Sequence, residues 1–166
     1  MNGYQHLCVG ASAAMLAVSA VTAHDMMPQM AMSEGLLYTG CYGLGLLLPD
    51  IDNPNSLAGQ YFYLPVGHRT ITHTLYAVMP FLILGLFLKP LLFLAAGYFL
   101  HLLADSASRC GVAWLHPYTG YHIYPSGAKF KKGFHLVLYG GKKSAWAFCC
   151  IFAVLCLIAG HAIRIL

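Results

Sequence analysis

Charge is what this chain has least of. Lysine, arginine, aspartate and glutamate make up 8% of its 166 residues, only five residues are acidic, and 59% are hydrophobic, with a mean hydropathy of +0.67. A soluble domain of this length needs far more charge to cover its exterior, so the composition excludes a soluble globular protein and predicts a small, single-domain integral membrane protein. No lysine or arginine precedes Arg69, so the basic n-region of a cleavable signal peptide is missing and none is expected. The six cysteines form no C-x-x-C pair, and all but Cys110 lie in apolar runs, where cysteine acts as a small hydrophobe. A thiolate zinc site and structural disulfides are therefore not expected. The G-x-S-x-G, P-loop and Rossmann glycine patterns are absent as well, which removes the usual nucleophile and nucleotide readings.

What is present is a series of apolar segments: about 7–23, 35–48, 74–88, 90–104 and 144–163. These predict an all-α fold, a polytopic membrane bundle of about five segments. Only the last reaches the roughly 20 residues that cross a bilayer comfortably. Extending the others into their flanks makes them long enough and brings His6, Asp50, His73, His101 and Asp105 to the membrane edge, where ionisable groups are usually functional. A re-entrant or broken second segment, with Gly35, Gly40, Gly43 and Gly45, is the alternative. Prolines and glycines mark 49–67 as a loop, and the eight in 110–143 mark a loop or short lid.

Basic residues give the orientation. With five spans, Arg69, Arg109, Lys129, Lys131, Lys132, Lys142 and Lys143 share one side, and only Lys89 and Arg164 take the other. The positive-inside rule then puts the N-terminus in the cytoplasm and the C-terminus outside. The same drawing, without using those charges, gathers His6, Asp50, Asp52, His68, His73, His101 and Asp105 on the cytoplasmic side. Missing one span would split them across the bilayer.

Three aspartates interleaved with histidines in so uncharged a chain point to a metal site. His101 and Asp105, four apart, share one helix face, so one ion can take a nitrogen and an oxygen from one turn; a stabilising helix-end pair is the plainer reading. Asp50 and Asp52 lie two apart between Pro49 and an Asn-Pro turn. In an extended segment both reach one site, one as a ligand and the other orienting a histidine, unless one is an Asx-turn or helix cap. His68 and His73 bracket Arg69: one histidine is expected to ligate, the other to be a second ligand or general acid, and packing histidines are the alternative. Arg69 suits a phosphate through its planar fork, or serves as a membrane anchor. His6 precedes the first span. His24 and His161 read as interfacial residues on the outer side, whereas His116, His122 and His135 are available to a second site or to substrate. The lysines of the 129–143 stretch suit anionic lipid headgroups.

A His/Asp set favours zinc, or manganese, over copper or an iron–sulfur cluster. Hydrolysis by metal-activated water is the economical chemistry.

The motifs then form a recognisable series: an N-terminal histidine, G-x-x-L-P-D-x-D-N-P-x-S (Gly45 to Ser56), H-R-T-x-T-H (His68 to His73), G-Y-x-x-H-L-x-x-D (Gly97 to Asp105) and G-V-x-x-L-x-P (Gly111 to Pro117). Together they resemble the YdjM-like family, bacterial and archaeal inner-membrane proteins described as metal-dependent hydrolases. In motif order that family is similar to zinc-dependent phospholipase C and related zinc nucleases. The resemblance implies metal ligands in His6, an aspartate of the Asp50/Asp52 pair, His68 or His73, His101 and Asp105, and a phosphoester or lipid-linked substrate; Asp52, His73 and Arg69 are the expected catalytic residues. Those soluble enzymes carry a further histidine pair and a glutamate for another zinc. No acidic residue follows Asp105 here, so one or two ions are expected. Membrane lipids are expected partners and nucleic acid is not. A metal-ion transporter, or a regulatory protein with a structural metal, are the competing classes; a transporter typically places polar groups at the bilayer midplane, where these spans are apolar.

Overall fold

The structure, a computed structural model, describes residues 3–23, 31–67, 70–107, 112, 114–115 and 142–165. The fold is all-α, with no strand among the described residues: α1 (Gly3–Ala23), α2 (Met32–Leu47), a 3-10 turn (Leu48–Asp52), a second 3-10 turn (Ile71–His73), α3 (Leu75–Gly85), α4 (Lys89–Ser106) and α5 (Lys142–Ile165). Each helix overlies one of the five apolar segments. Their lengths are unequal, however. Two, α1 and α5, are long and apolar enough to cross a membrane. The 11 residues of α3 extend about 16 Å, roughly half of a hydrocarbon core about 30 Å thick. The second segment is one unbroken helix through Gly35, Gly40, Gly43 and Gly45.

α4 is the central element, packed chiefly on α2 and α3, while α1 packs on α5 and α2. Two glycines allow the closest crossing. A Cβ on Gly45 would collide with the carbonyl oxygen of Leu94, and one on Gly97 with that of Tyr42, so α2 and α4 meet backbone to backbone. The adjoining face of α4 buries Tyr98, His101, Leu102 and Asp105. α1 and α5 run parallel: Cys149 donates to the carbonyl of Gln5 across 3.7 Å near one end, and Gly160 lies against Ser19 near the other. Most outward-facing positions along the described helices are apolar, including Leu36 and Leu37 on α2 and Ile151, Leu155 and Ile158 on α5. An apolar exterior of this kind is what lipid covers and water does not.

Candidate metal centre

Among the described residues, the buried histidines and aspartates are gathered inside one end of the bundle. That end is built from the N-terminal turns of α1, the 3-10 turn that continues α2, the 3-10 turn that precedes α3, and the last turns of α4. Chain direction alternates through these four elements, so residues far apart in sequence meet at one level.

Pro49 shapes the first contribution. Lacking an N–H, it cannot continue the helical ladder of α2, and the chain tightens into the 3-10 turn carrying Asp50 and Asp52. The turn that follows is made by Asn53, whose Oδ1 accepts from the Asn55 amide at 3.1 Å. Ser56 donates its hydroxyl to the Asp50 carbonyl at 2.6 Å. With the turn chemistry supplied by Asn53 and Ser56, both aspartates point inward and are buried.

His101 fixes the argument. Its Nδ1 lies 2.7 Å from the Leu46 carbonyl, which can only accept, so the proton is on Nδ1. Nε2 faces Oδ1 of Asp50 at 3.7 Å and Oδ2 of Asp105 at 4.0 Å. A hydrogen bond to a carboxylate needs about 2.7–3.2 Å, and neither Nε2 of His101 nor either ring nitrogen of His6 has a hydrogen-bond partner. The His6 ring stacks on that of His101 with centroids 3.6 Å apart, and its Nε2 stands 3.4 Å from Oδ1 of Asp105. His73 completes the group, with Nε2 at 3.8 Å from Asp50 and 3.7 Å from Asp105. All of these side chains are buried. Orphaned buried nitrogens are costly. Two ligands of one tetrahedral zinc, each about 2.0–2.1 Å from it, lie roughly 3.3 Å apart, so the observed separations fit ligands after a few tenths of an ångström of closing. Among the described residues two groups bring their ligand atoms within 4.8 Å of one another, His6 with Asp50 and His101, and His73 with His101 and Asp105.

Asp52 stands outside both groups. Its Oδ2 accepts the Thr72 hydroxyl at 2.5 Å and lies 3.4 Å from Nδ1 of His73. Thr72 has one proton, so its oxygen accepts from Nδ1 of His73 at 3.0 Å. The chain His73–Thr72–Asp52 therefore leaves the Nε2 lone pair of His73 directed at the cluster, as the Leu46 carbonyl does for His101. Outer partners that set the tautomer in this way are the usual companions of metal-bound imidazole. The Tyr98 hydroxyl holds the segment in place by donating to the Thr72 carbonyl at 2.6 Å.

Of the residues expected from sequence, His6, Asp50, His73, His101 and Asp105 meet here and Asp52 sits one step behind. His68 and Arg69 lie outside the described residues, as do His24, His116, His122 and His135. Thr72, Tyr98 and the Leu46 carbonyl are additional. Thr72 has a sequence signal, being the hydroxyl residue directly before a buried histidine; the carbonyl has none.

An all-helical bundle with an apolar exterior and a buried His/Asp cluster at one end defines a membrane protein with a candidate metal centre. The chain belongs to the YdjM inner membrane protein family, whose model matches residues 1–164. No curated protein and no solved structure matches it.

Proposed function

We propose that this protein is a membrane-embedded, metal-dependent hydrolase that cleaves a phosphoester or other lipid-linked substrate at the cytoplasmic face. One observation carries the reading: the Nε2 lone pair of His101, fixed by the Leu46 carbonyl, faces the carboxylates of Asp50 and Asp105. His6, Asp50, His73, His101 and Asp105 would hold one or two divalent ions, zinc before manganese. Such an ion, when bound, polarises a phosphoryl oxygen and acidifies coordinated water. The chain's own residues supply the rest. Thr72 and Asp52 keep His73 in one tautomer, Tyr98 fixes the height of that segment, and Arg69 offers a bidentate fork for the phosphoryl oxygens.

The topology that goes with this reading has five membrane segments, α3 being shallow, the N-terminus cytoplasmic and the C-terminus outside. The parallel packing of α1 and α5 supports it, since odd-numbered segments of an up-and-down bundle share a direction. A transporter would need its ion site near the midplane, whereas this cluster lies at one end. The test joins metal analysis of the purified protein to an activity screen on phospholipids, isoprenoid phosphates and nucleotides. Stoichiometric zinc with metal-dependent release of phosphate or a headgroup is expected. Bound metal with no turnover on any class would leave a structural or regulatory site.

A further inference from the structure

The segment between the two carboxylate- and histidine-bearing turns has an unusual surface. From Asn53 to Gly67 there is no ionised side chain, a run of 15 residues at the polar end of the bundle. Its tip exposes Tyr61 (77%), Phe62 (78%), Tyr63 (52%) and Leu64 (41%). Slack chain does not explain the exposure. The amides of Tyr61 and Phe62 donate to the Ala58 carbonyl at 3.1 and 3.0 Å, and Gly59 donates to the Ser56 hydroxyl at 2.8 Å. The Leu64 amide donates to the carbonyl of Ile51 at 2.9 Å, tying the tip directly to the turn that carries Asp50 and Asp52. The aromatics are held outward by a braced scaffold.

Three features identify what covers them. The loop continues the apolar exterior, because Leu57 packs against Gly3 at the start of α1 and Tyr4 beside it is exposed. α5 runs parallel to α1, so its first turn, with the exposed Lys143, lies at this same end of the bundle, where lysines reach anionic headgroups. Tyrosine and phenylalanine together, without charge, match the boundary between headgroups and acyl chains: the rings leave water and the hydroxyls keep polar neighbours.

We propose that the Tyr61–Leu64 loop inserts into the headgroup–acyl boundary of the leaflet at the site end and anchors the carboxylate-bearing turn at that depth. The partner is the lipid surface itself. This goes beyond the hydrolytic reading and does not require it, since neither metal nor turnover enters the argument.

The test replaces Phe62 by p-benzoyl-phenylalanine in the full chain, in native membranes, with the same replacement at Leu155 on the exposed face of α5 as a lipid-facing reference. Illumination followed by mass spectrometry of the intact protein reads the adducts. Phospholipid adducts at position 62, at a yield comparable with position 155, are expected. Adducts to another protein would make the loop a protein-docking surface and overturn the proposal. So would the absence of adducts at 62 with lipid adducts at 155, which would place the loop in water. Because Phe62 is exposed, the replacement does not endanger the fold.

Discussion

Thr72 gives its only hydroxyl proton to Asp52 across 2.5 Å, and through that same oxygen it fixes His73. A two-residue contact thus sets the tautomer of a third. Thr72→Val keeps the shape of this buried side chain and removes the relay. Metal affinity should fall about 10–100-fold, the range typical of lost outer partners, while the helical content is unchanged. Thr72→Ser retains the hydroxyl and should restore most of the affinity. Competition with a chromophoric chelator measures both. Equal losses in the two variants would make the residue a packing element only.

The aspartate pair should separate in the same assay. Asp50→Asn removes the negative charge of a carboxylate whose Oδ1 faces His73 and His101 at 3.8 and 3.7 Å, so most bound metal should be lost. Asp52→Asn should behave like Thr72→Val, binding the ion less tightly. His101→Ala and Asp105→Ala should follow Asp50→Asn, because His101 belongs to both candidate ligand groups. Stoichiometric zinc in Asp50→Asn would move the ligand role elsewhere.

Much of this was legible in the chain, for definite reasons. The five helices follow from apolar runs punctuated by proline, glycine and charge, and the match of His101 to Asp105 follows from helical periodicity. The gathering of His6, Asp50, His73 and Asp105 follows from the alternating direction of successive apolar segments, whether or not each of them crosses a membrane. What periodicity does not carry is depth and division of labour. α3 stops at Gly85 after 11 residues although its apolar run continues to Leu88. Hydropathy alone does not tell a short helix from a crossing one. The choice between Asp50 and Asp52 depended on a 3-10 turn, in which neighbouring side chains diverge, where an extended strand would have aimed both at one site. The Leu46 carbonyl is a backbone atom and leaves no trace in residue types.

The crossing of α2 and α4 yields a stability prediction with its own control. A methyl group on Gly97 would meet the Tyr42 carbonyl and come within 3.1 Å of the Leu46 amide nitrogen, whereas one on Gly40 meets nothing within 4 Å. Gly97→Ala should destabilise by about 1–3 kcal/mol, the usual cost of overpacking. It should also weaken metal binding, because Leu46 is what fixes His101. Gly40→Ala should be neutral or stabilising by up to about 1 kcal/mol, alanine being the better helix former. Thermal unfolding in detergent, with zinc titration of each variant, checks the pair.

Orientation has a separate test. Reporter fusions after Leu166 should be active outside the cytoplasm, and fusions in the 105–143 region inside it, since seven of nine basic residues fall on one side of the five-segment drawing. A cytoplasmic C-terminus would mean that one apolar segment, with the short α3 the first candidate, turns back without crossing.

Removing the metal should expose the cost of the site as well as its use. With the ion chelated, the Nε2 lone pair of His101 faces the carboxylates of Asp50 and Asp105 with no proton between them, an arrangement that disfavours the folded state. Re-adding zinc should therefore raise the unfolding temperature, by mass action worth about 4 kcal/mol at roughly a thousandfold excess over Kd. Asp105→Asn sharpens the test. The amide can donate a proton towards Nε2 of His101, relieving the chelated protein, but it loses the charge that holds the ion. The chelated variant should then be at least as stable as chelated wild type, and zinc should stabilise it far less. A variant less stable than wild type under chelation, yet equally stabilised by zinc, would mean that Asp105 supports the fold and takes no part in binding the ion.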